Sequence, residues 1–302
     1  MILDFGYICM EMRTKINCAL ETCESSITAT QNTMTPGGSA TLQAIAAARC
    51  GAQVSLSGAI GNDLFAKTIL DALRKNGVRS TSIAKSEGLT DITTHIISPE
   101  KSFIITSSNS NDIASEEQIT DQILNTRTLL TIQNDFPLEK NLPLLKRAKE
   151  RECFTSLSLS HTQNLSEDML QWIDTLIIED KVLTDLANLW NIPEETLIQT
   201  ITKNHDLHCI TLKEHGLNGV EFCSRKQEMT IIPPVTNITL TDPSAAFDIF
   251  CGAFNACIQA AKPVETALIY GQTAAVLSTQ KHGAYTSMPY LGDIEDYIEN
   301  NL

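Results

Sequence analysis

The stretch GGSATLQAIAAARCGAQVSLSGAIGNDLFAKTILDALRKNGV, residues 37–78, decides the fold. Two glycines precede SATLQAIAAARCGA, a helix with alanine on most of its faces, and alanine all round means tight packing between layers. Gly51 closes that helix. Val54 to Ile60 follows as a strand. Gly61-Asn62-Asp63 then caps a second helix running through Lys75, and Asn76-Gly77 ends it.

Upstream, Ile2 to Ile8 is a short apolar run that reads as a strand. From Glu11 to Pro36 the text is polar, threonine-rich and aperiodic, as in a small strand-and-loop excursion. Downstream, Ile92 to Ser98 and Phe103 to Thr106 flank Pro-Glu-Lys-Ser, the pattern of a hairpin half open to solvent.

Beyond that the chain alternates. Strands are expected at Leu129–Ile132, Phe154–Leu159, Asp174–Ile178 and Cys209–Leu212. Helices are expected at Leu144–Glu150, Ser166–Trp172, Leu183–Trp190 and Glu194–Thr202. A hairpin (Gly219–Phe222, Met229–Ile232) and helices at Ala245–Ala261, Val264–His282 and Ile294–Asn300 complete it. The spacing implies an α/β fold, a doubly wound, mainly parallel sheet with helices on both faces. No linker, repeat or low-complexity tract divides the chain, so residues 1–302 read as one domain.

Composition narrows the functions. With 302 residues, 42% hydrophobic and 19% charged, the chain is globular rather than disordered. The net charge of −14 disfavours nucleic acid and anionic membranes as partners. No apolar run reaches membrane-spanning length. The opening MILDFGYICMEMRTK lacks a basic segment followed by an apolar core, so no secretory leader is expected. Nine cysteines without a C-x-x-C read as buried, reduced thiols of a cytoplasmic protein.

In such sheets ligands sit beyond the carboxyl ends of strands, at helix N-termini. Two turns qualify. In TPGGSATLQ (35–43), Gly37 and Gly38 allow close backbone approach just before free helical N–H groups. In TLTDPSAAFDIF (239–250), Asp242 suits an N-cap and Pro243 the first helical position. Asp248 then falls in the first or second helical turn, either as a solvated dipole partner or as a general base beside a phosphate-binding terminus. Spacing alone leaves both readings open.

Together these segments resemble the ribokinase-like (phosphofructokinase-B type) carbohydrate kinases over nearly the whole chain. Residues 37–78 look like the family's first signature. TDPSAAFDIFCGAFNACI (241–258) stands where the family writes D-T-x-G-A-G-D-x-F-x-G-G-F. SPEKSFIITSSNSN (98–111) looks like its lid hairpin, and AAVLSTQKHGAYTSMP (274–289) like its last helix and closing turn. The resemblance implies a small β-sheet lid, here about residues 9–36 and 91–110, closing over a sugar or related alcohol. It implies ATP and Mg2+ as cofactors, and Asp248 as the base that deprotonates the acceptor hydroxyl. An anion hole would form at Ala245, Ala246 and Phe247. Substrate would meet Glu11, Gly37, Gly38, Gln43 and Asp135; nucleotide would meet Thr211, Lys213, Gly216 and Gln272. Members of the family often dimerise through the lid, which sets a homodimer as an expectation.

The chain also departs from the family. Gly-Ala-Gly becomes Ala245-Ala246-Phe247, and a family Asn in the first helix becomes Leu42. The family's N-x-x-E element, which organises metal-bound water, falls on Glu179 and Val182. A second reading is therefore a ribokinase-fold protein that binds a small molecule or nucleotide in a regulatory role. A nicotinamide oxidoreductase is disfavoured because Pro-Gly-Gly-Ser-Ala-Thr-Leu is not G-x-G-x-x-G. A metal hydrolase on His205 and His208 lacks a third nearby ligand, and no metal-ligating residue is assigned.

Overall fold

The computed structural model describes residues 1–19, 26–224, 226–236 and 238–301. Part of the expected lid excursion, residues 20–25 with Cys23, lies outside the described residues. Strands β1 (Ile2–Phe5), β4 (Val54–Ile60) and β5 (Arg79–Lys85) join β8 (Leu129–Gln133), β9 (Phe154–Leu159), β10 (Thr175–Glu179), β11 (His208–Leu212), β12 (Val220–Ser224) and β13 (Gln227–Ile232). They form a nine-stranded sheet in the order β13-β12-β11-β10-β9-β8-β1-β4-β5. All pairings are parallel except β11–β12 and β12–β13. Strand order reverses about β1, which pairs with β4 on one side and β8 on the other. A ligand cleft is expected beyond such a reversal.

The central strands are buried on both faces, so they need apolar residues on both. One face packs on α3 (Leu138–Glu150), α4 (Glu167–Leu170), α5 (Leu183–Trp190) and α6 (Glu194–His205), in a core holding Leu3, Phe5, Leu130, Ile132 and Leu144. The other packs on α1 (Ser39–Arg49), α2 (Leu64–Lys75), α7 (Ala246–Gln259) and α8 (Val264–Ser278). α9 (Ala284–Ser287) and α10 (Leu291–Asn301) finish the chain. Gly252 of α7 lies so close to α1 that a Cβ there would meet the Gln43 carbonyl at 2.5 Å. The alanine-rich surface of α1 is what permits that approach.

Several boundaries differ from the sequence reading. β1 stops at Phe5, because Gly6 to Ile8 carry the chain out of the large sheet. Strand β5 was not expected; it is a half-exposed edge with a polar RSTSIAK sequence. α3 begins six residues before Leu144, with Pro143 inside it. α4 is a single turn. α8 ends at Ser278 rather than His282. Asp242 does not cap α7, whose N-cap is Ala245.

A separate four-stranded sheet, β3-β2-β6-β7, is built from β2 (Cys9–Lys15), β3 (Gln31–Gly37), β6 (Ile92–Ile97) and β7 (Ser102–Thr106). Its four connections to the body meet at one buried knot. The Asp91 carboxylate accepts the N–H groups of Asn109 (2.6 Å), Ser110 (3.0 Å) and Asn111 (3.2 Å), and the Asn111 amide at 2.6 Å. That amide also donates to Ile8 O (2.7 Å), and its oxygen accepts from Ile8 N (3.2 Å). Gly38 completes the knot: its φ is +87°, and a Cβ there would overlap the Tyr7 carbonyl.

Candidate active site

Beyond the carboxyl ends of β1, β8 and β10 lies a cleft of about 480 Å³, between the small sheet and the start of α7. Glu11, Asp135, Glu179 and Asp248 place four carboxylates on its wall. Lys181, His95 and His161 share that wall.

Asp248 sits half-buried in the first turn of α7. Its Oδ1 accepts a hydrogen bond from Gln43 Nε2 at 2.9 Å. Burial pushes its carboxyl well above the ordinary range; the Gln43 bond opposes this, while Asp135, Glu11 and Glu179 add to it. At the same helix end, the N–H of Ala246 is bound by the Pro243 carbonyl (3.0 Å), whereas those of Phe247 and Asp248 have no protein acceptor among the described residues. Ala245 and Ala246 are buried. Phe247 is only 7% exposed and packs with Ile177, Ile210, Leu212 and Phe250. An edge of it lines the cleft while the side chain belongs to the core, which is why a large residue is tolerated beside Asp248.

Glu11 is 9% exposed. Burial raises its carboxyl, against the pull of Arg13 and the Gly38 N–H. Its Oε2 has no hydrogen-bond partner. Gly37 makes room for it, since a Cβ at 37 would overlap the Glu11 side chain. Asp135 faces His161 Nε2 at 3.3 Å. Gln43, by contrast, is 2% exposed and off the cleft wall; it also donates to Ser158 Oγ at 2.9 Å. It touches Asp248 rather than the space a substrate would fill. Leu42 is buried in the α1 core.

The four residues assigned to nucleotide are off this wall. Gln272 donates to the carbonyls of Gly216 (2.9 Å) and Pro233 (2.9 Å), and so joins α8 to the turn after β11. Lys213 in that turn pairs with Glu221 at 3.2 Å. Thr211 is fully buried, with no partner for its hydroxyl.

The sequence reading missed two residues. Lys181 lies two positions after Glu179 and contacts it at 2.6 Å; it is the one Lys or Arg on the cleft wall among the described residues. A basic residue just past a strand end that carries a carboxylate was the available signal. Gln133, at the end of β8, donates to Asp4 and Gln43, and nothing in its local sequence marks it. His205 pairs with Glu167 (3.2 Å) and His208 stacks on Phe222. Among the described residues no three His, Cys, Asp or Glu side chains converge as a metal cage.

The model of the pfkB family of carbohydrate kinases matches residues 8–291. The chain belongs to that family. As a member it is a phosphotransferase that acts on a sugar hydroxyl. It is 29% identical over 270 residues to a ribokinase of Haemophilus influenzae, covering 87% of each chain. The fold matches that of a Thermotoga maritima ribokinase structure (TM-score 0.88, 22% identity, 99% of both chains). It also matches an Arabidopsis thaliana ribokinase complexed with ribose and ATP (TM-score 0.83, 20% identity, 99% and 98% of the chains). The large sheet between helix layers and the separate small sheet are thus the ribokinase-like architecture. Among the described residues no helix is long and apolar enough to cross a membrane.

Proposed function

We propose that this family member phosphorylates a neutral sugar with ATP, and that Asp248 is the general base. The observation that carries the reading is the Asp248 carboxylate on the cleft wall, within one turn of a helix start whose Phe247 and Asp248 N–H groups have no protein acceptor among the described residues. The acceptor hydroxyl gives its proton to Asp248 as its oxygen bonds to the γ-phosphorus. The bond from that phosphorus to the bridging oxygen breaks, and ADP leaves with the electron pair. The two N–H groups and the helix dipole face the developing charge.

Glu11 and Asp135, which line the cleft, accept hydroxyl hydrogen bonds from the sugar. Four carboxylates on one wall repel an acidic sugar. They also repel ATP, so the cation Lys181 faces its terminal phosphate. The small sheet acts as a lid over the sugar. The base end of ATP lies by the Gly216 turn and α8, with Lys213 exchanging Glu221 for phosphate. Thr211 lies beneath.

Mg2+ fits this donor set only as a phosphate-borne ion that keeps most of its waters, with Glu179 able to hold one. It would supply charge neutralisation on the phosphates. A homodimer through the lid agrees with exposed Met34, Ile104 and Ile105 on the small sheet, and sedimentation velocity tests it.

The deciding experiment measures ADP release from ATP and Mg2+ across D-ribose, D-fructose and other neutral sugars, wild type against Asp248→Asn. Sugar-dependent release that the variant loses supports the reading. ATP binding by calorimetry with no transfer on any sugar overturns it and leaves the regulatory alternative suggested by Ala245-Ala246-Phe247 and Val182.

A further inference from the structure

Asp4 lies two amide side chains from Asp248, on the strand about which the sheet reverses. It is 1% exposed, a carboxylate deep in the α1–α7 side of the sheet. Its Oδ1 accepts from Gln133 Nε2 at 2.8 Å. The same nitrogen donates to Gln43 Oε1 at 3.1 Å. Gln43 Nε2 then donates to Asp248 Oδ1 and Ser158 Oγ, both at 2.9 Å. Gln133 and Gln43 are each 2% exposed. Space is kept for this chain: Gly6 lies against the Gln133 amide, and a Cβ there would overlap Gln133 Oε1.

The chain has a direction. An amide alone can present either its nitrogen or its oxygen. Ionised, the Asp4 carboxylate can only accept, and in that state it obliges Gln133 to turn its nitrogen inward. That nitrogen obliges Gln43 to turn its oxygen toward Gln133 and its nitrogen toward Asp248. Reversing either amide would set oxygen against oxygen at one end, in surroundings without water to compensate.

We propose that Asp4 and Gln133 are positioning residues for Asp248: they fix the orientation of the Gln43 amide so that an N–H, never a carbonyl oxygen, meets the carboxylate. The inference rests on the reading of Asp248 as the base. Other charged and titratable groups surround Asp248 or share its cleft wall: Glu11 from β2, His95 from β6, Asp135 and His161 after β8 and β9, Glu179 at the end of β10 with Lys181 just after it, and Cys251 on α7. Cys251 also faces Asp4. None of these residues is altered in the variants compared.

The test follows the carboxyl 13C resonance of Asp248, assigned by its loss in Asp248→Asn, as pH is varied in the ligand-free protein. Asp4→Leu removes both a distant negative charge and the acceptor that orders the amides. A charge effect alone would move the Asp248 midpoint down. Loss of amide orientation moves it up, by about one pH unit. An upward shift in Asp4→Leu, reduced in Asp4→Asn, which keeps an acceptor oxygen, is the expected result. A downward or absent shift overturns the proposal. Gln133→Met cuts the chain without altering charge and carries the same upward expectation should Asp4→Leu not fold; an unmoved midpoint there also overturns it. With D-ribose, ATP and Mg2+, the acidic limb of kcat is expected to move with the midpoint while KM for ribose holds. If the wild type turns over no sugar, the base reading falls, and the resonance still decides whether Asp4 orders the amides.

Discussion

Arg13 of the small sheet holds Asp242, just ahead of α7, at 3.0 Å. Asp242 also accepts the Gly283 N–H (3.0 Å) and the Ser244 hydroxyl (2.6 Å). One carboxylate thus joins the small sheet, the segment leading into α7 and the turn before α9. Burial alone would raise Asp242, but the Ser244 and Gly283 bonds and the Arg13 charge hold it below the usual range. Its contribution is therefore present above the ordinary carboxylate pKa and lost as pH falls through the depressed one. Arg13→Met is expected to cost about 2 kcal/mol, less than the ~3–5 of a fully buried pair because both partners keep some contact with water. It should also raise KM for the sugar. Urea unfolding at neutral pH and sugar titration check both.

Asp248→Asn is expected to lower kcat by about 10²–10⁴-fold, the usual share of a general base, while ATP affinity changes little. The wild type's acidic limb should lie above the ordinary carboxylate range, because the base must be ionised and its pKa is raised. A limb at or below that range would contradict the assignment.

Lys181→Met is expected to cost about 10²-fold in kcat/KM for ATP, the scale of one lost charge partner to the transferring group. Lys181→Arg should recover part of it. Stability should hardly change, since the Lys181 side chain is 59% exposed. An unchanged KM and kcat would remove Lys181 from the phosphate site.

Phe247→Gly brings the loop nearer to the family's Gly-Ala-Gly. It is nevertheless expected to destabilise by about 3–5 kcal/mol, because the ring fills a core contact, and to give no faster enzyme. Thermal melts with activity assays on the same samples test this.

Asp4 makes a separate statement about pH and stability. Burial raises its carboxyl to about 7, against the hydrogen bond from Gln133. The native state holds this proton more tightly than the unfolded chain. Its contribution is thus full below the ordinary pKa near 3.8 and is lost as pH rises through about 7. Melting temperature should fall between about pH 4 and pH 7 more steeply in the wild type than in Asp4→Asn.

Much of the large sheet was legible because its strands are apolar runs between capped helices; Val54–Ile60 and Asp63 as N-cap of α2 are cases where local chemistry and tertiary demand agree. β5 was illegible because an edge strand with one wet face has no such run. Asp242 misled because its partners, Arg13 and Gly283, are far away in sequence. The same limit governed the site. Asp248, Gly37 and Gly38 stand in recognisable text, but Gln43 meets Asp248 across 205 residues. Gln133 and Lys181 gain their significance only where strand ends converge.

The knot at Asp91 and Asn111 has a mechanical meaning. Because Ile8, Asp91 and Asn109–Asn111 are bonded to one another where the chain enters or leaves the small sheet, with Gly38 packed against Tyr7 and Ile8 beside them, those crossings form one cluster rather than separate tethers, and the Arg13–Asp242 pair is a second tie to the body. Glu11, two residues from Cys9 at the start of β2, therefore sits close to the cluster, and Arg13, further along the same strand, is held to Asp242. That cleft-wall carboxylate is thereby braced from both sides along its strand, whatever the outer strands of the small sheet do.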